Sequence, residues 1–194
     1  MDEEYDSKRK RQRLLHAASV RQRINSIRPG LTSRSAHPID GTLIFPLVDP
    51  TQILQPHRDA LILSLGIGDF DVRRILVDLS ISIDFLQVSV IKQMGIVPSS
   101  LENPGRILSG FNGTATTSLG NIESPVQAGL VILNVQFSVV EDLSSFNAIL
   151  GRTWFHYMKV ISSTYHQMVS FLTEDRQIDL YGNQLAVRQC YQIA

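Results

Sequence analysis

Short apolar runs separated by Gly, Pro, Asn and Asp dominate the chain from Gly41 onward. Residues 60–67 and 72–77 are two such runs joined by Gly68-Asp69-Phe70-Asp71, which predicts a β-hairpin. Val135, Phe137 and Val139 alternate with polar residues within 122–140, which predicts a half-buried strand. Further predicted elements are an edge strand at 42–48, a long hairpin across 106–121, and strands in 146–151, 160–163 and 168–172.

Helical spacing is rarer than strand patterning. Apolar residues between Ile83 and Met94, followed by Gly95, predict a short helix, and residues 153–158 predict a second one. The pair Gly182-Asn183 is interpreted as a polar turn before the final run to Ala194. About eight to ten short strands and two short helices indicate a mainly β, barrel-like fold.

The predicted strand that ends at Val77 delivers a carboxylate, Asp78, to its end. Burying this apolar run holds the acid where a charge is costly unless it is hydrogen-bonded, paired or used in a reaction. Asp78 is therefore a catalyst, the surviving acid of an inactive enzyme, or a structural strand-end acid. Ser80 and Ser82 lie close by, but no histidine follows a spacing that would suggest a serine nucleophile.

Charge divides the chain into a basic arm and an acidic body. Residues 1–36 contain nine Lys/Arg against four Asp/Glu, a net charge of +5, and the remainder carries −5 because the whole chain is neutral. We expect a disordered or partly helical linker over 1–38 and one domain over 39–194. The run at 8–13 either contacts nucleic acid or addresses a nucleus, or it belongs to a solvated arm.

Composition excludes several classes of protein. A single cysteine, Cys190, excludes internal disulfides and multi-cysteine zinc knuckles, and His57, His156 and His166 lack the spacing of metal ligands. We therefore expect neither metal nor cofactor. The sequence has no apolar signal-peptide core and no run of membrane-spanning length, so we expect no membrane partner and an intracellular location, cytoplasmic or nuclear.

Several motifs, in their order and spacing, resemble the retropepsin-like aspartic protease domain of plant-type Ty3/gypsy LTR retrotransposon Gag-Pol polyproteins. The matching segments are Pro56-His57-Arg58-Asp59-Ala60-Leu61, Arg73-Arg74-Ile75-Leu76-Val77-Asp78, Leu108-Ser109-Gly110-Phe111-Asn112-Gly113, Ala148-Ile149-Leu150-Gly151-Arg152, Ser163-Thr164-Tyr165-His166 and Gln184-Leu185-Ala186-Val187-Arg188-Gln189-Cys190-Tyr191. The resemblance covers 39–194 and implies a closed β-barrel protomer.

The resemblance also implies a function. A homodimer would carry one Asp78 from each chain, and the pair would activate water to hydrolyse peptide bonds during polyprotein processing. A flap would close over the peptide, and a second loop would support the catalytic turn. The implied flap residues are Gly110, Phe111, Asn112 and Gly113, and the implied supporting residues are Ile149, Leu150, Gly151 and Arg152.

The catalytic turn departs from the family pattern. The family has Asp-Thr-Gly or Asp-Ser-Gly, whereas this chain has Asp78-Leu79-Ser80. Leu79 lacks the hydroxyl that bonds across the dimer, and Ser80 adds a side chain where glycine allows a tight turn. The alternative function is a catalytically inactive, retroelement-derived module for dimerisation or interaction. Asp84 is a second acid near the site, an ion-pair partner of Arg152, or an ordinary helix-side acid.

Overall fold

The computed structural model describes residues 41–46, 53–55, 57–109 and 115–193. The predicted linker at 1–38 therefore lies outside the described residues, as do positions 47–48 of the predicted edge strand. Its described part, residues 42–46, is not a strand. Instead, the backbone N–H and carbonyl of Ile44 bond to the side-chain amide of Gln177 at 2.8 and 2.9 Å. This segment is therefore bonded to a glutamine side chain and not to the backbone of a neighbouring strand.

The described residues contain eleven strands, three α-helices and a 3-10 turn at Pro98–Ser100. The strands are β1 (Ile62–Ile67), β2 (Phe70–Val77), β3 (Asp84–Gln87), β4 (Ile107–Ser109), β5 (Ala115–Thr117), β6 (Gly120–Ala128), β7 (Val131–Val140), β8 (Ala148–Leu150), β9 (Ile161–Ser163), β10 (Met168–Leu172) and β11 (Gln177–Tyr181). The helices are α1 (Val88–Gln93), α2 (Arg152–Met158) and α3 (Gln184–Ile193).

Six strands close into a barrel in the order β1-β2-β8-β3-β7-β6. β2 runs parallel to β8, with Val77 opposite Leu150, while β3 runs parallel to β7 and antiparallel to β8. The barrel interior is filled by large, fully buried side chains such as Phe137, Ile75 and Trp154. Because β2 and β8 are parallel neighbours, the turns that follow them emerge side by side at one edge of the barrel.

Two smaller sheets complete the fold. β4 and β5 form an antiparallel hairpin, and β9, β10 and β11 form a three-stranded sheet with β10 in the centre. The hairpin predicted from residues 60–77 is present as β1 and β2, and its turn contains Gly68 at φ +59°. The positive φ explains why glycine occupies this turn, because a side chain there would be strained.

Three further predicted elements were wrong or incomplete. The helix predicted from Ile83 onward begins as strand β3, because its backbone pairs with β7 and β8, and only Val88–Gln93 is helical. The run 122–140 is two strands with a turn at Gly129, not one. The final run is a third helix, α3, whose Val187 and Cys190 pack on Ile62.

α3 follows the predicted turn directly, since Asn183 caps it by accepting the Ala186 N–H at 3.0 Å. No helix in the described ranges is long and apolar enough to cross a membrane.

Candidate active site

Asp78 is the first residue after β2. Its backbone N–H bonds to the Leu150 carbonyl oxygen at 3.0 Å, which extends the parallel pairing of β2 and β8 by one step. Its own carbonyl accepts the Ile81 N–H at 3.3 Å and so starts a turn. The residue is half-buried. The strand end predicted from sequence therefore holds the acid by its backbone and leaves the carboxyl accessible.

Ser80 binds the carboxylate of Asp78 in two ways. Its N–H and its hydroxyl both donate to Asp78 Oδ1, at 2.8 and 2.7 Å. Two donors on one carboxylate oxygen fix the orientation of the carboxyl group. Ser80 is not among the described residues with positive φ, so the side chain in place of glycine does not strain the turn. The serine thus adds a donor to the acid at no backbone cost.

Leu79 points away from the cleft that contains Asp78. Its side chain is 49% exposed and lines a separate groove of about 550 Å³ together with Phe155 and Ile161. Leu79 therefore places an exposed apolar side chain directly after Asp78.

The turn after β8 packs tightly beneath the turn after β2. A Cβ atom on Gly151 would lie 2.6 Å from the Ile83 carbonyl oxygen and 2.7 Å from that of Ile81, so only glycine fits. Arg152 donates its N–H to Ile81 O at 2.8 Å, and Thr153 donates its hydroxyl to Ser82 O at 2.9 Å. Ile149, which precedes these residues in β8, lines the cleft. These residues thus lie against the turn that follows Asp78, and their predicted supporting role stays a prediction.

Asp84 is buried under these turns at the start of β3. It is 1% exposed, and its Oδ1 accepts the Gly151 N–H at 2.7 Å, while Oδ2 has no hydrogen-bond partner in the part of the chain that the structure describes. Burial raises the pKa of this carboxyl from its ordinary value of 3.8 to about 6, against the opposing effects of the Gly151 and Trp154 backbone amides.

Two of the three interpretations of Asp84 from sequence need correction, whereas the third, a second acid near the site, is not contradicted. It is not on a helix side, and it forms no ion pair with Arg152 within the described ranges, where Arg152 is exposed. It is also not among the residues that line the cleft. The helical spacing of residues 83–94 concealed a strand, and strand pairing buries its first residue.

A cleft of about 660 Å³ opens above Asp78. The catalytic turn and β3 form one wall, and the β4–β5 hairpin forms the other through Arg106, Ile107, Leu108 and Thr116. β4 and β5 flank the segment predicted as a flap, and the predicted flap residues Gly110, Phe111, Asn112 and Gly113 lie outside the described residues. The lining of the cleft mixes apolar side chains with polar and charged ones, such as Ser82 and Asp142.

Sequence reasoning missed several residues that line the cleft. Phe85, Val140, Asp142 and Leu143 reach it from β3 and from the end of β7. The pattern marked Phe85 as a helix residue, and the segment after Val140 carried no motif. Only the pairing of β3 with β7 brings the two segments together, and a single sequence does not show that pairing.

Metal ligands are not grouped in the described part of the chain, where no cluster of three or more His, Cys, Asp or Glu side chains could hold an ion. His57 bonds to the Tyr165 carbonyl oxygen and His166 to the Ser163 hydroxyl, at 3.2 and 2.8 Å. Neither residue lines the cleft. His57 thus links two segments distant in sequence, and the bond of His166 stays within the connection from β9 to β10.

The fold is similar to that of a solved protease-like domain. The crystal structure of the retroviral protease-like domain of Ddi1 from Leishmania major aligns with a TM-score of 0.52 and 16% identity, covering 66% of this chain and 96% of that chain. No family model matches the chain, and no curated protein matches it. The likeness confirms the predicted mainly β, retropepsin-like barrel.

Proposed function

We propose that this chain is a retropepsin-like aspartic endopeptidase that hydrolyses peptide bonds as a homodimer. The observation that carries the proposal is the place of Asp78. It follows β2 directly, it is oriented by two bonds from Ser80, and it lines a cleft between its own turn and a flap-like hairpin. An oriented carboxylate in a cleft is the arrangement that acid–base hydrolysis requires.

The proposed reaction needs two carboxylates, and each protomer supplies its Asp78. Two acids in close contact cannot both ionise, so the pair shares one proton. The ionised Asp78 takes a proton from water as the water attacks the scissile carbonyl, and the protonated Asp78 of the second chain donates a hydrogen bond to the carbonyl oxygen. The proton then moves to the leaving amine, so the reaction consumes one water and needs no metal.

The walls of the cleft support an apolar substrate sequence. Ile81, Ile83 and Phe85 lie on the side of the catalytic turn, and Ile107 and Leu108 lie on the flap side. Peptide side chains on both sides of the scissile bond would pack against these residues. We assign polyprotein processing in a Ty3/gypsy-type retrotransposon as the biological role, because the motifs between Pro56 and Tyr191 resemble that family.

The test is hydrolysis of a peptide with apolar residues flanking its central bond, assayed between pH 4 and 7 with the full chain. Asp78→Asn should lower the rate by about 10²–10⁴-fold or more, because the general base is lost. Asp71→Asn is the matched control, since Asp71 is an exposed acid on the same strand. Unchanged hydrolysis in Asp78→Asn, or none in the wild type at concentrations where sedimentation shows dimers, would refute the proposal.

A second candidate function has its own supporting observation. Leu79 carries an exposed apolar side chain where a hydroxyl would bond across the dimer, which favours a catalytically inactive module that still binds peptides or a second copy. The double variant Leu79→Thr with Ser80→Gly separates the candidates. Hydrolysis that appears only in the double variant identifies the wild type as the inactive module, whereas hydrolysis by the wild type eliminates that candidate.

A further inference from the structure

One peptide group connects the two aspartates at this site. The N–H of Gly151 is donated to Asp84 Oδ1 at 2.7 Å, and the carbonyl of the same peptide unit, from Leu150, accepts the Asp78 N–H at 3.0 Å. A peptide unit is planar, so its two hydrogen-bonding groups move together. Any displacement of the carboxyl of Asp84 is therefore transmitted to the backbone of Asp78.

The space around Asp84 contains no countercharge. The rest of β3 and the adjacent strands β7 and β8 carry no ionisable side chain. The loop before β3 and the helices that contact it contribute the following ionisable side chains: Asp78, Lys92, Arg152, His156 and Tyr157. None of them forms an ion pair with Asp84 in the described residues, and all but the half-buried Asp78 are exposed.

The two protonation states of Asp84 therefore differ in what the site must supply. A neutral carboxyl fits a dry site in which one oxygen accepts a single hydrogen bond. An ionised carboxyl keeps that bond, but its second oxygen, Oδ2, has no hydrogen-bond partner among the described residues, and the Trp154 backbone amide offsets only part of the effect of burial. A buried, ionised Asp84 without a countercharge favours any movement that lets water reach its carboxylate. Because Asp84 lies beneath the turns after β2 and β8, such a movement would separate these two turns. The raised pKa of the buried carboxyl, about 6, agrees with this reasoning.

We propose that Asp84 is a pH-responsive positioning residue. Its neutral form holds the Leu150–Gly151 peptide, and through it the Asp78 turn, in the geometry of the cleft, and its ionised form loosens this connection. The consequence for catalysis rests on the function proposed above, whereas the connection itself is a property of the fold and is measurable without catalysis.

The first experiment follows backbone amides by NMR between pH 4 and 8 in the full chain carrying Asp78→Asn, which removes the titration of Asp78 itself. The Gly151 and residue-78 amides should shift together with a midpoint of about pH 6. Both inflections should vanish on adding Asp84→Asn and persist on adding Asp71→Asn instead. The proposal fails if the Gly151 amide does not titrate, or if it titrates while the amide of residue 78 does not follow. A Gly151 amide that does not titrate would refute the proposal even if the Asp84→Asn variant failed to fold.

The second experiment compares the peptide hydrolysis of Asp84→Asn and wild type as a ratio at each pH. Any pH effect on the catalytic pair is the same in both proteins and cancels in the ratio. Only the wild type loses the neutral form of a group that titrates near 6, so the rate of Asp84→Asn divided by that of wild type should rise about tenfold between pH 5 and 7. A ratio that stays constant across this range identifies a purely structural role and overturns the proposal. If the wild type does not hydrolyse the peptide, the endopeptidase function fails, and the amide titration still decides the role of Asp84.

Discussion

The turns that follow the parallel strands β2 and β8 meet under the cleft, yet they tolerate side chains very differently. In the β8 turn, a Cβ atom on Gly151 would lie within 2.7 Å of two backbone carbonyl oxygens. In the β2 turn, Ser80 carries its side chain without a positive φ and uses it to bind Asp78. One turn is sterically closed, and the other is open.

The difference separates what the fold needs from what the reaction needs. The β8 turn anchors the loop that carries Asp78 by bonds from Arg152 and Thr153, so a change at Gly151 acts on the whole barrel edge. The β2 turn faces the cleft and the exposed groove beside Leu79. A sequence can therefore change Leu79 or Ser80 and keep the fold. The departure from the family pattern falls in the open turn.

Gly151→Ala should give the largest effect on the free energy of unfolding. The new methyl group would overlap the carbonyl oxygens of Ile81 and Ile83, and overpacking of this kind costs about 3 kcal/mol, at the upper end of its usual range. Urea unfolding measures the loss. Gly66→Ala is the control, because its Cβ would meet only side-chain atoms of Gln127, Cβ at 3.2 Å and Oε1 at 3.6 Å, and its φ is not positive. Equal losses in both variants would contradict the comparison.

The pH dependence of stability should show the next largest effect. The pKa of Asp84 is raised in the folded state, so the folded chain binds more protons than the unfolded chain between pH 3.8 and about 6. The contribution of Asp84 is therefore fully present below pH 3.8 and is lost as the pH rises through about 6. The loss is on the order of 2–3 kcal/mol.

Urea unfolding of wild type and Asp84→Asn between pH 4 and 7 isolates the contribution of the Asp84 carboxyl to the free energy of unfolding, because the other groups titrate in both proteins. The stability of Asp84→Asn relative to wild type should increase as the pH rises. A difference that is independent of pH would show that Asp84 does not titrate in this range.

The sequence predicted the position of Asp78 better than that of Asp84. An apolar run that ends in an acid was enough to place Asp78 at a strand end, because that signal is local. Asp84 was misplaced because the spacing of residues 83–94 also fits a helix, and only pairing with the distant strands β7 and β8 makes its first part a strand. Long-range pairing of this kind leaves no local pattern.

The third helix shows the opposite kind of error, because a local signal was present and was misread. Asn183 was interpreted as a turn residue, but asparagine is also a preferred helix N-cap, and Gln184, Val187 and Cys190 follow at helical spacing. Strand β11 is paired along its length with β10. The described part of the predicted edge strand is instead bonded, through Ile44, to the side chain of Gln177, a contact that no sequence pattern encodes.

Ser80→Ala should lower the free energy of unfolding by less than Gly151→Ala does and by less than the pH-dependent loss at Asp84. It removes the hydroxyl bond to Asp78 Oδ1 and leaves the bond from the Ser80 backbone N–H. The loss of one exposed hydrogen bond is worth about 1 kcal/mol. Unfolding at pH 7 measures it, and Ser82→Ala is a nearby exposed serine control. Because the hydroxyl acts on the carboxylate, the loss should disappear in the background of Asp78→Ala. A loss that persists there would assign the hydroxyl another role.

Leu79→Thr should have the smallest effect on the isolated protomer. The side chain is about half exposed, and surface substitutions of this kind change the free energy of unfolding by less than about 0.5 kcal/mol. Urea unfolding in dilute protein tests this, with Ile132→Thr as a control at another exposed position. The proposed dimer places the two catalytic turns face to face, so the effect of Leu79→Thr should grow with protein concentration while that of Ile132→Thr stays constant. An effect of Leu79→Thr that is equal at all concentrations would place the catalytic turn outside the dimer interface.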